Sequence, residues 1–215
     1  MCGFAGFLTQ PSRRDGDLIE IARRMSNTLV HRGPDSAGEF ADAAAGVALA
    51  FRRLAIIDLS ELGHQPMRSA SGRYWIVFNG EIYNFPALRG ELESCGARFR
   101  GHSDTEVALA AFEQWGIDRA VTRFIGMFAM AVWDTHSRSI TLIRDRLGIK
   151  PLFIYAGAGI ISFASELKAL HAGPSFDGTL DTAAVTQYLR TLYVEAPRSI
   201  FLHVSKLLPG HLLTR

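Results

Sequence analysis

Long apolar runs are absent from this 215-residue chain. The longest, residues 43–51, is nine residues with Gly46 inside it, whereas a membrane-spanning helix needs about 20. Cysteine is scarce too. Cys2 and Cys95 alone cannot build a disulfide framework. The opening Met1-Cys2-Gly3-Phe4 lacks the basic start and apolar stretch of a secretory signal, so the expected compartment is a reducing cytoplasm. Net charge is also nearly absent: 23 basic against 21 acidic residues leave +2, too balanced for a nucleic-acid footprint. Lysine is rare, only Lys150, Lys168 and Lys206. The seven histidines show no metal-ligand spacing, and no repeat or low-complexity tract is visible. What is present is ordinary globular usage, 48% apolar and 20% charged. That is enough to bury a core, and it excludes disorder of the whole chain.

Periodicity gives a coarse order of elements. Leu18, Ile21, Ala22, Met25 and Leu29 recur at helical spacing, which predicts an amphipathic helix over 17–30. Short apolar segments at 46–51, 54–59 and 74–79 read as strands, and the small residues 41–45 as a turn. Residues 85–95 read as a helix stopped by Gly96. Ser103 and Glu106 match a capping box for a helix that runs on to Trp115. Two hairpins follow, 127–133 with 139–143 and 152–155 with 160–163, and Asp181 is placed to cap a helix reaching Arg190. Antiparallel hairpin sets separated by helices argue for a layered α+β fold. The chain ends at Leu213-Thr214-Arg215 directly after an apolar stretch, which reads as an interrupted sequence.

The chemistry begins at Cys2. With Met1 removed it would carry both a thiol and a free α-amine, whose pKa near 7.7–8.0 lets it serve as a base at neutral pH. Position alone favours an incidental cysteine that follows the start Met. Asn79-Gly80 by itself reads as a tight hairpin turn, and Asp104 as a carboxylate that favours a helix N-terminus.

Seven motifs occur in order: Cys2-Gly3-Phe4-Ala5-Gly6, His31-Arg32-Gly33-Pro34-Asp35, Arg53-Leu54-Ala55-Ile56-Ile57-Asp58, Asn79-Gly80-Glu81-Ile82-Tyr83-Asn84, Ser103-Asp104-Thr105-Glu106, Arg144-Asp145-Arg146-Leu147-Gly148-Ile149-Lys150-Pro151, and Ser165-Glu166-Leu167-Lys168. Together they resemble the glutaminase domain of glutamine-hydrolysing asparagine synthetases, which are class II glutamine amidotransferases. The resemblance spans residues 2–211. It implies an α+β N-terminal-nucleophile hydrolase fold, a four-layer αββα sandwich of two antiparallel sheets.

The resemblance also implies roles. Cys2 would attack the carboxamide of L-glutamine, with its own amine as base, and a thioester would then be hydrolysed to glutamate. Asn79 and Gly80 would form the oxyanion hole. Neighbours on an extended segment point to opposite faces, so only one of Arg52 and Arg53 can reach the pocket, and the resemblance selects Arg53 as the clamp for the substrate carboxylate. Asp104 and Glu81 would take the substrate ammonium, and Ile56 and Ile57 would offer backbone contacts. Arg32 to Asp35 would support the pocket wall, Arg144-Asp145 would be a buried ion pair, and Cys95 an incidental thiol.

No cofactor or metal is expected in this domain. ATP and Mg²⁺ would belong to a synthetase domain, joined in cis or supplied as a separate chain. Its Ser-Gly-Gly-x-Asp loop does not occur in the sequence, nor does a G-x-x-x-x-G-K-[ST] phosphate loop. An apolar tail around Leu202, Leu207 and Leu208 would face that partner. The expected partners are thus L-glutamine and a synthetase domain, with no nucleic acid and no membrane, and a homodimer is open. The alternatives are a glutaminase domain of another class II amidotransferase, or a regulatory domain of the same fold without catalysis.

Overall fold

Alternating burial along the strands decides the architecture. In the computed structural model, which describes residues 1–11, 14–56 and 58–215, the chain runs β1 (Gly3–Leu8), α1 (Asp15–Asn27), β2 (Ser36–Asp42), β3 (Val47–Arg53), β4 (Met67–Arg68), β5 (Tyr74–Ile82), α2 (Phe85–Ser94), α3 (Asp104–Trp115) and α4 (Ile117–Arg123). It continues through β6 (Gly126–Asp134), β7 (Ser139–Arg144), β8 (Phe153–Gly157), β9 (Ile160–Ala164), α5 (Leu167–His171), α6 (Thr182–Thr191), β10 (Val204–Lys206) and β11 (Leu212–Thr214). The strands form two sheets, ordered β10-β8-β9-β1-β3-β2 and β11-β7-β6-β5-β4. Neighbouring strands pair antiparallel.

Successive side chains on these strands go to opposite layers. Phe4, Leu49 and Phe51 of the first sheet meet Val77, Ala131 and Trp133 of the second in a shared inner layer. On the outer faces, Ala5, Phe7 and Ala48 pack under Leu18, Ala22 and Met25 of α1. Ile76, Phe78 and Met130 pack under Leu92, Val107 and Phe112 of α2 and α3. The result is the αββα sandwich, an α+β fold. Each large buried side chain contributes about 1.5–3 kcal/mol. By contrast α6 buries only Ala184 and is fixed at its start, where the Asp181 side chain accepts from the N–H groups of Ala183 (2.9 Å) and Ala184 (3.2 Å). None of the described helices is long and apolar enough to cross a membrane.

Several expectations need correction. Residues 54–56 and 58–59 of the expected strand 54–59 are not in a strand, and Ile57 lies outside the described residues: the Ala55 N–H bonds the Asp35 carboxylate at 2.8 Å, and the Arg53 guanidinium takes the carbonyls of Asp58 and Ser60, so side chains replace a ladder. Asn79-Gly80 is not a turn but lies inside β5, opposite Ala129 and Phe128 of β6. α1 stops at Asn27 rather than at residue 30, and β1 and β2 were not anticipated because glycines and alanines dilute their apolar pattern. Only half of the capping box forms. Ser103 Oγ accepts from the Glu106 N–H at 3.3 Å, while the Glu106 carboxylate turns to the N–H groups of Arg100 and Gly101.

Arg144 and Asp145 do not pair with each other. Arg144 donates to the carbonyls of Gly148, Lys150 and Leu207, and Asp145 accepts from the backbone of Phe128, Leu147, Ile149 and Lys150. Leu207 is buried in the inner layer, so it is not part of an exposed tail with Leu202 and Leu208. β11 carries the second sheet to Thr214, past residue 211.

Candidate active site

Cys2 stands immediately before β1, at the edge where the two sheets open. Its Sγ donates to the Leu54 carbonyl (3.4 Å) and accepts from the Leu54 N–H (3.3 Å). Its own carbonyl accepts from Arg32 Nε at 2.9 Å, and Arg32 Nη1 reaches Glu166 at 2.8 Å. Glu166 in turn is shared with His31 and Lys168. This chain of charges ties the first residues to the start of α5. Burial pushes the Cys2 thiol above its ordinary pKa, against the Leu54 hydrogen bond, the terminal ammonium and Arg53. A thiol held protonated at neutral pH needs a nearby base before it can act as a nucleophile.

Asn79 and Gly80 come from the middle of β5. Asn79 is 1% exposed and its Nδ2 has no hydrogen-bond partner among the described residues. Leaving a buried amide donor unpaired costs about 1–3 kcal/mol, which is unusual unless a ligand completes it. Gly80 is required by close approach: a Cβ there would lie 2.2 Å from the Met127 carbonyl oxygen on β6.

Charged groups surround this pair. Asp104, at the start of α3, accepts the Ile82 N–H at 3.0 Å. Burial drives its carboxyl up to about 6, opposed by the backbone N–H groups of Ile82 and Thr105 and assisted by the nearby Glu81 charge. Arg53 ends β3 and donates to the Ser60 carbonyl at 2.8 Å and to the Asp58 carbonyl, so it also shapes the following loop. Arg52 turns the other way and meets Asn27. The Asp58 carboxylate completes the loop, taking the Ser60 N–H at 2.9 Å and the His102 N–H at 3.0 Å.

Cys2, Arg53, Ile56, Asn79, Gly80, Glu81 and Asp104 all line one cavity of about 130 Å³. They come from four separate stretches of chain. Ile57 lies outside the described residues. Cys95 is exposed at the end of α2, away from this cavity. Among the described residues no group of three or more His, Cys, Asp or Glu side chains could hold a metal ion.

Sequence reasoning passed over three contributors. Leu54 meets the thiol with both backbone groups. Gln65 accepts the Phe78 N–H at 2.6 Å and donates to Thr105 at 3.2 Å, which joins β5 to α3 behind the cavity. Arg32 holds the Cys2 carbonyl rather than a general wall. Arg32 and Leu54 lie in the ordered motifs and Gln65 does not, and backbone contacts such as those of Leu54 leave no mark on residue type.

Comparison with known proteins agrees with this geometry. A family model described as a glutamine amidotransferase domain matches residues 1–215. Asparagine synthetase [glutamine-hydrolyzing] 1 of Bacillus subtilis is 41% identical over 215 residues, all of this chain and 33% of that protein. A putative asparagine synthetase of Mycobacterium tuberculosis is 40% identical over 98% of this chain and 34% of its own length. The chain therefore spans about a third of the length of the curated relatives it matches. Among solved structures, glutamine phosphoribosylpyrophosphate amidotransferase from B. subtilis shares the fold, with a TM-score of 0.68 at 21% identity over 80% of this chain and 43% of that one.

Proposed function

The chain belongs to the glutamine amidotransferase domain family, and from that premise we propose that, once Met1 is removed, Cys2 hydrolyses L-glutamine to glutamate and ammonia. The thiol proton passes to the Cys2 α-amine as Sγ bonds to the side-chain amide carbon. Negative charge collects on the former carbonyl oxygen, where the Asn79 Nδ2 and the Gly80 N–H are the proposed donors. The tetrahedral intermediate collapses with loss of the amide nitrogen, which takes the proton from the α-ammonium and leaves as ammonia. A water molecule, deprotonated by the same amine, then cleaves the thioester and restores the thiol.

Specificity for an amino-acid amide is assigned to the charged rim. Arg53 is the proposed partner of the substrate carboxylate, using N–H groups not taken by the loop carbonyls. Asp104 and Glu81 are the proposed partners of its ammonium. Ile56 and Ile57 are proposed to offer backbone contacts beside Arg53.

The observation that carries this reading is the unpaired Asn79 Nδ2 on the wall of the cavity that also holds the Cys2 thiol. A buried donor with no partner, beside a nucleophile, suits an oxygen that gains charge during reaction. Labelling with a glutamine-analogue electrophile tests it. The adduct should map to Cys2 and be prevented by glutamine; an adduct chiefly on Cys95, or one indifferent to glutamine, would overturn the assignment.

Beyond this domain, we propose that the ammonia serves ATP-dependent amidation of an activated carboxylate, as in asparagine synthesis, by a synthetase unit in cis or on another chain. ATP and Mg²⁺ would be bound there. The relatives' printed names and their greater length support that wider role. The glutaminase unit is proposed to comprise residues 2–211 with β11 added to its second sheet, and to work in the cytoplasm.

A further inference from the structure

Lys150 has no role in the reaction just described, yet it lines the same cavity and is only 3% exposed. Burying an ammonium costs several kcal/mol unless it is well paired. Here the side chain's one hydrogen-bond partner is the Met1 thioether, with Nζ 3.0 Å from Sδ, and a thioether is a weak acceptor. Packing does not explain a lysine at this position.

The backbone around it is held firmly. The Lys150 N–H bonds the Asp145 carboxylate at 3.0 Å, and its carbonyl accepts from Arg144 Nε at 2.9 Å. Asp145 is itself pinned to β6 through the Phe128 N–H and carbonyl. The whole segment from Arg144 to Lys150 thus acts as a bracket that aims one cation at the start of the chain.

We propose that Lys150 is a positioning residue for the glutaminase reaction: its fixed ammonium, released from the thioether when Met1 leaves, stands beside the new N-terminus and keeps the Cys2 α-amine in the neutral form that can accept the thiol proton. The inference rests on the functional reading above. Covalent geometry supports the proximity. Five bonds separate Met1 Sδ from the Cys2 nitrogen, a span of at most about 6 Å, so Nζ lies within about 9 Å of that nitrogen. Two positive charges at such a range, at an effective dielectric near 20, shift the amine by about one pKa unit.

The other charges facing this point do not cancel the effect by pairing with Lys150. Among the described residues, Arg32 approaches from the turn after α1, Arg53 from β3, Glu81 from β5, Asp104 from α3, and Asp145 from the bracket itself; Glu166 is occupied by Arg32, His31 and Lys168. Burial and Arg32 push the Lys150 ammonium below its ordinary value, while Asp145, Cys2 and Glu81 push the other way. The three acidic groups among these favour the ammonium form that the proposal requires.

The test is an NMR titration of the Cys2 α-nitrogen in the Met1-free chain, labelled with ¹⁵N-cysteine in a Cys95→Ser background. The parent amine should titrate about one unit below the usual 7.7–8.0. Lys150→Met should raise it by about one unit, and Lys150→Arg should leave it near the parent value. The acid limb of kcat at saturating glutamine should move with it, with KM changed less than twofold. An α-amine at or above the usual range in the parent, or one unmoved by Lys150→Met, would overturn the proposal. Because the parent titration needs no variant, a misfolded Lys150→Met still leaves a decisive measurement. Because it needs no substrate, absence of glutaminase activity would count against the functional reading and not against the role of Lys150.

Discussion

Asp104 carries its carboxylate inside the fold, where burial raises it from 3.8 to about 6. An acid whose folded pKa exceeds its unfolded one binds its proton more tightly when folded, so stability falls as pH rises from about 4 to 6 and the full penalty stands above that. Asp104→Asn should therefore stabilise the protein by about 1–3 kcal/mol at pH 8 and by almost nothing at pH 4, as read by thermal unfolding at the two values. The same substitution should raise KM for glutamine by about ten- to a hundredfold, the scale of one lost charge-assisted contact. Asn79→Ala should behave differently and lower kcat by about 10²–10³ with little change in KM; a pure KM effect would mean that Asn79 binds substrate and does not meet the oxyanion. These residues were singled out in the sequence because ordered motifs named them; alternation says that Arg52 and Arg53 face opposite ways, and the family resemblance chose Arg53. Gln65 and Leu54 were not legible, since one acts from a loop upon two distant elements and the other through its backbone.

Elements show where pattern succeeds. Trp133 and its neighbours on β6 alternate between the inner layer and the α3 side, both buried, so the strand is a continuous apolar run and its hairpin with β7 was read from two apolar segments joined by the polar residues 134–138. Residues 54–59 are equally apolar in sequence, but the N–H groups of Leu54 and Ala55 go to Cys2 and Asp35, partners that no local window contains. Glycine supplies a further test at this scale. Gly80→Ala would place a Cβ 2.2 Å from the Met127 carbonyl oxygen, which must spread β5 from β6 and should cost more than about 2 kcal/mol. Gly90→Ala, in the exposed interior of α2 with nothing within 4 Å of the new Cβ, should instead stabilise by about 0.5–1 kcal/mol. Urea unfolding of both variants checks the pair; equal effects would show that the sheet spacing at Gly80 is soft.

The two sheets as a whole bring five stretches of chain, spread from Cys2 to Lys150, to one opening, and this long-range convergence is what periodicity alone could not express. It also bounds what the 215 residues can do. Arg53, Glu81 and Asp104 on that opening carry the charges that the proposed function assigns to an amino-acid substrate. Neither a Ser-Gly-Gly-x-Asp loop nor a G-x-x-x-x-G-K-[ST] loop occurs in the sequence to cradle a nucleotide's phosphates. Making asparagine requires activating a carboxylate at the expense of ATP, and ammonia released at Cys2 has no such acceptor within this sandwich. The chain freed of Met1, given glutamine, aspartate, ATP and Mg²⁺ together, should therefore yield glutamate and ammonia in equal amounts and no asparagine. Exposed Leu202 and Leu208 should make it prone to associate, so the assay belongs at low protein concentration with its oligomeric state measured alongside. Amino-acid analysis of one reaction reads both products, and asparagine appearing at the expense of ammonia would place carboxylate activation within these residues after all.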